Sequence, residues 1–119
     1  MRPQEVTPEE AVARLDSRFF NERVDLAWSQ EATRRAERLR AQLPHGARFV
    51  SMECRGSMCR LEMSHPSLET FQHFIREGLV HDTNAWEGPF MAALKSPPGQ
   101  LGAVEAVAYL ARPGADLAP

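Results

Sequence analysis

Two cysteines, Cys54 and Cys59, stand five positions apart inside a run that reads F-V-S-M-E-C-R-G-S-M-C-R-L-E-M from Phe49 to Met63. Residues of these types support three chemistries. Oxidised, the sulfurs form a structural disulfide. Reduced, with Arg55 and Arg60 beside them to favour the thiolate, they would make a reversible redox pair. Together with thioether and imidazole donors from Met58 and His65, they would make a soft site of the kind that selects Cu(I). The pattern C-x-x-x-x-C is not the C-x-x-C of thiol oxidoreductases, and Met52 and Met63 fall where methionine is ordinary packing. Zinc would require four ligands, and His45, His65, His73 and His81 show no ligand spacing with the cysteines. We therefore expect a disulfide and neither metal nor cofactor, with a Cu(I)-binding or thiol-redox protein as the alternative.

A β-hairpin is the element that would bring the sulfurs together. With its turn centred on Gly56-Ser57, Cys54 meets Cys59, Met52 meets Leu61 and Val50 meets Met63, while Glu53 meets Arg60 on the opposite face. Alternation then turns Val50, Met52, Cys54, Cys59, Leu61 and Met63 toward a core, and Ser51, Glu53, Arg60 and Glu62 toward water. A disulfide closing so small a loop contributes only about 2 kcal/mol. It pins the register rather than creating the fold.

The flanking chain supplies the layers. Thr7, Pro8 and Glu10 make a helix start, and a first helix running to about Arg18 presents Val12, Leu15, Phe19 and Phe20. Asp25 is placed to cap a second helix reaching about Gln42, with Trp28, Ala32, Ala36, Leu39 and Leu43 as its apolar stripe. After the hairpin, Ser64-His65-Pro66-Ser67 opens a third helix that buries Leu68, Phe71, Phe74 and Ile75 and ends at Gly78 as C-cap. Two further strands, over residues 90–95 and 104–111, form a second hairpin through a connection over 96–102. Val104, Ala106, Ala108 and Leu110 face the helices, and Val107 and Tyr109 face the other way. The order is α-α-β-β-α-β-β. The fold class is α+β, a small antiparallel sheet of two hairpins with its helices packed on one face. The chain reads as a single domain over residues 1–119, with a helical part at 7–43 and a ββαββ part at 47–112.

Composition excludes several functions. The formal net charge of −2 over 119 residues gives no general attraction to nucleic acid or anionic lipid. The arginines of the second helix alternate with Glu31 and Glu37 at supporting spacings, which is a solvated, ion-paired face. No apolar run approaches the roughly 20 residues that span a bilayer, and no signal-peptide series follows Met1. No G-x-S-x-G elbow, phosphate loop or H-E-x-x-H is present, and His81-Asp82 reads as a turn. The chain is not expected to be an enzyme.

Three stretches together carry a resemblance. They are Glu22 to Trp28, of the form E-x-x-D-x-x-W; Cys54 to Arg60, of the form C-R-x-x-x-C-R; and Tyr109 to Gly114, Y-L-A-R-P-G. In these the chain resembles an uncharacterised domain that recurs in secreted proteins and lipoproteins of GC-rich proteobacteria, over roughly residues 19–114. The paired C-R element is the most specific part, and the dominance of arginine, with Lys95 the one lysine, agrees with a GC-rich source. The resemblance implies a location and a disulfide, and it assigns no activity.

These observations combine into one expectation: a non-catalytic interaction or ligand-sensing domain, periplasmic or envelope-anchored, with a cytoplasmic protein as the alternative. Its binding surface would be either a pocket near Trp86 or an open sheet face combining Phe49, Val107 and Tyr109 with Glu53 and Arg60. Such a mixed patch suits a protein partner or a homodimer, and a pocket suits a small ligand. Arg112 is placed for a buried ion pair with Glu22 or Asp25 that would lock the second helix to the last strand.

Overall fold

The computed structural model describes residues 7–80, 86–95 and 103–117. The connection expected over 96–102 and the His81-Asp82 pair lie outside them. The first hairpin forms from β1 (Arg48–Cys54) and β2 (Met58–His65), with Cys54 opposite Cys59, Glu53 opposite Arg60 and Met52 opposite Leu61. The Arg55 amide donates to the Met58 carbonyl at 3.0 Å, which leaves Gly56-Ser57 as the turn. One expected pair shifts. A bulge between Phe49 and Ser51 sets Phe49, not Val50, against Met63. Val50 is exposed, whereas Phe49 enters the core and packs edge-to-face on Phe74, ring centroids 6.0 Å apart. The extra residue exchanges a valine for a larger ring on the buried side.

The second hairpin, β3 (Phe90–Leu94) and β4 (Val104–Ala111), joins through β4 to β2, giving the antiparallel order β1-β2-β4-β3. Helix α1 spans Pro8–Asn21, capped by Thr7, and α2 spans Leu26–Arg38, capped by Asp25 and extended by a 3-10 turn over Leu39–Gln42. Helix α3 spans Leu68–Phe74 behind a Ser67–Thr70 capping box and widens into a π-helical turn over Ile75–Val80. The strand preceding it runs through His65, so the helix begins later than its Ser64 and Pro66 imply. Gly78 is not a left-handed cap. It is buried inside the π turn, where an added Cβ would stand 3.3 Å from both Gln42 and the Phe74 ring.

The α+β class and the element order are those legible in the sequence. The layering differs in one respect. Helices α2 and α3 cover one face, packing Ala32, Ala36, Leu39, Phe71 and Phe74 on Leu61, Met63, Ala106, Ala108 and Leu110. Helix α1 crosses to the other face, where Leu15 and Phe19 pack on Met58, Val107 and Tyr109. An apolar second face is stable only when something covers it, and the stripe of α1 is the element available. Phe20, expected on that stripe, falls outside it and is exposed.

Candidate functional site

The three motif segments, far apart in sequence, converge on the hairpin turn. The amides of Gly56 and Ser57 point together, forming a small anion-binding nest. Glu22 fills it: its Oε1 accepts from the Gly56 amide at 3.1 Å and the Ser57 amide at 2.9 Å, and its Oε2 accepts from the Ser57 hydroxyl. The approach is so close that a Cβ on Gly56 would sit 2.8 Å from the Arg23 carbonyl oxygen. Arg55 closes the end of α1, its guanidinium donating to the carbonyls of Phe19 at 3.2 Å and Phe20 at 2.9 Å. Its Cζ also lies 4.8 Å from the Phe19 ring centroid.

Asp25 caps α2 by accepting from the Trp28 amide at 3.3 Å, and its second oxygen accepts from Arg112 at 3.1 Å. The Trp28 amide, then the Arg112 guanidinium, hold its carboxyl below the usual carboxylate range. The expected ion pair therefore exists with Asp25, while Glu22 serves the turn. It is not buried, since both side chains are nearly half exposed. Its locking role comes instead from position: the Arg112 amide donates to the Ser57 carbonyl at 2.8 Å, and its guanidinium lies 5.5 Å from the Trp28 ring centroid.

On the α1 face the polar residues of β2 are covered as well. Asp16, next to Leu15 and one helical turn from Val12 and Phe19, points into the sheet. It accepts from Arg60 Nε at 2.7 Å and from the Tyr109 hydroxyl. Arg60 also bonds Glu62, which in turn meets Lys95 at 3.4 Å. Burial and then the Asp16 bond push the Tyr109 hydroxyl up. Burial disfavours the Arg60 charge, but the bonds to Asp16 and Glu62 outweigh it and the guanidinium stays more firmly charged than usual. The Arg60 bond holds Glu62 below its ordinary range.

The open sheet face expected from the sequence is thus absent. Val107 and Tyr109 are fully buried under α1, Arg60 is ion-paired beneath it, and Phe49 lies in the core of the opposite face. Glu53 remains exposed and pairs with Arg55. Trp86, of those residues, does line a cleft. Its indole Nε1 donates to the Ala111 carbonyl at 2.8 Å, which fixes one ring wall. Trp28 and Ala32 of α2 make the other wall, Arg112 and Pro113 the floor, and Glu31, Arg35 and Glu87 the rim, enclosing about 260 Å³. Arg35 bridges the rim, 3.2 Å from Glu87 and 3.4 Å from Glu31.

Cys54 and Cys59 are joined, with Cα atoms 3.9 Å apart, and both are buried. The residues of the Cu(I) alternative are not brought together. Met58 lies on the α1 face, the sulfurs lie on the other, and His65 sits six residues along β2 between Phe71 and Phe74. Arg55 and Arg60, the candidate thiolate partners, are engaged with α1. Sequence reasoning missed Asp16 and the Glu22 nest. The signal for the first was a charge on an apolar stripe; the second had none, because a nest is defined by backbone. Comparison with protein-family models, curated proteins and solved structures gave no match to this chain.

Proposed function

We propose that the protein is a non-catalytic binding domain of an oxidising envelope compartment, taking a ligand or a partner's side chains between Trp28 and Trp86. The observation that carries this reading is the cleft itself: two indole walls with a charged rim, built on a turn braced by a disulfide, a carboxylate and an arginine. Apolar concavity with few convergent polar groups is the usual form of a small binding site, and rigid support lowers the cost of binding. The buried disulfide favours an oxidising compartment over the cytosol.

Two measurements test it. Protein isolated under native conditions should show no titratable thiol until denatured and reduced. A fragment and short-peptide screen read by the two indole N–H resonances should give hits that shift both signals, with affinity reduced at least tenfold in Trp86→Ala. Free thiols in the native protein would remove the compartment. A screen in which no compound moves either indole, or whose hits bind Trp86→Ala equally, would remove the cleft.

A further inference from the structure

The two edges of the sheet are treated differently. β1 carries Arg48 and Glu53, is kinked by the bulge at Val50, and has its last carbonyl capped by the Ser29 hydroxyl at 2.7 Å. These are the devices by which natural sheets refuse a further strand. Among the described residues β3 shows no bulge and no charge within the strand, and Pro89 and Lys95 stand only at its ends. Its sequence, Phe-Met-Ala-Ala-Leu, is free of charge, proline and glycine, and among the described residues no strand pairs with its outer side.

The hydrogen-bond parity identifies which groups are open. At the ends of β3, the Pro89 carbonyl accepts from the Ala111 amide at 2.7 Å and the Lys95 amide donates to the Glu105 carbonyl at 2.8 Å. Alternation along an antiparallel pair then directs residues 89, 91, 93 and 95 toward β4, and Phe90, Ala92 and Leu94 outward. Beside that edge runs a groove of about 390 Å³ between β3 and α3, mostly apolar through Phe71, Ile75, Phe90, Ala92 and the exposed Val80, with Gln72 and Arg76 also lining it.

We propose that Phe90–Leu94 is a dimerisation edge, pairing antiparallel with the same strand of a second copy of this chain about a two-fold axis at Ala92. The occupant follows from the sequence of the strand. In this register Phe90 lies opposite Leu94 of the second copy and Ala92 opposite itself, so every cross-strand pair is apolar and no charges meet. The three outward residues of each strand exchange about six backbone hydrogen bonds. The arriving Leu94 lies beside Phe90 on the side of the groove and covers apolar surface there. The inference stands apart from the cleft, which no step of it uses.

Sedimentation equilibrium from about 1 μM to about 1 mM tests it. The wild-type chain should pass from monomer to dimer within that range. Ala92→Pro should stay monomeric throughout, with an unchanged far-ultraviolet spectrum, because it deletes an outward amide and leaves the ladder to β4 intact. A wild-type chain still monomeric at about 1 mM, including one whose edge takes a different protein, overturns the proposal. So does a folded Ala92→Pro that dimerises like wild type. Should that variant fail to fold, amide exchange in the wild-type chain decides. The Phe90, Ala92 and Leu94 amides should slow at least tenfold from the lowest to the highest concentration, and unchanged rates overturn the assignment.

Discussion

Beneath α2 and α3 the sheet meets aromatic and aliphatic side chains, a disulfide and a single histidine whose two ring nitrogens have no hydrogen-bond partner among the described residues. Beneath α1 it meets a smaller apolar patch and a chain of charged and hydroxyl groups running from Asp16 through Tyr109 and Arg60 to Glu62. The first face is held by area removed from water, the second in large part by matched polar groups. Burial of area is insensitive to orientation, whereas the polar chain fixes where α1 sits.

Removing one large ring from the first face should have the greatest effect. Phe74 is fully buried between Phe49, His65 and the π turn, so Phe74→Ala should cost about 4 kcal/mol in chemical denaturation. On the second face the largest response should come from Arg60→Ala, which leaves Asp16 and Glu62 without their cation. About 2 kcal/mol is expected, less than for a wholly enclosed pair because Asp16 keeps some access to water. If Arg60→Ala proves the costlier of the two, the contrast between the faces is wrong. Tyr109→Phe removes one hydroxyl bond to Asp16 while keeping the ring. It should cost about 1 kcal/mol, and combined with Arg60→Ala it should be non-additive, since both act through one carboxylate.

The smallest effect separates the faces by pH. Burial pulls the His65 imidazole below its ordinary value of 6.5. The unfolded chain therefore gains protons that the folded chain refuses, and stability present above about pH 6.5 falls as the pH drops through it. Less than about 1 kcal/mol should be lost between pH 7 and 6, and His65→Leu should flatten that slope. Glu62, held below the ordinary 4.5 by Arg60, contributes stability that declines only when the pH falls below that value. A melt whose pH dependence between 7 and 6 survives His65→Leu would place the titrating group elsewhere.

The hairpin register, the cysteine pair, the α2 stripe and the element order were legible in the sequence because each is a local period or a turn signal. The Val50 bulge was not, since no glycine or proline marks it and the choice between Phe49 and Val50 is made by Phe74, 25 residues away. Nor was the side taken by α1. Its stripe and the Val107–Tyr109 pair were both visible, but treating the second as a binding surface left the first without a specific place to go. Asp16 held the answer: an acid among Val12, Leu15 and Phe19 requires a buried donor, and Arg60 and Tyr109 supply it.

The kink in β1 has a consequence for assembly size. A sheet that accepts strands at both margins adds copies without end and becomes a fibre. A dimer built on the Phe90 margin, as proposed, would stop at two copies and eight strands, because the bulge shuts the Val50 margin, remote from that contact.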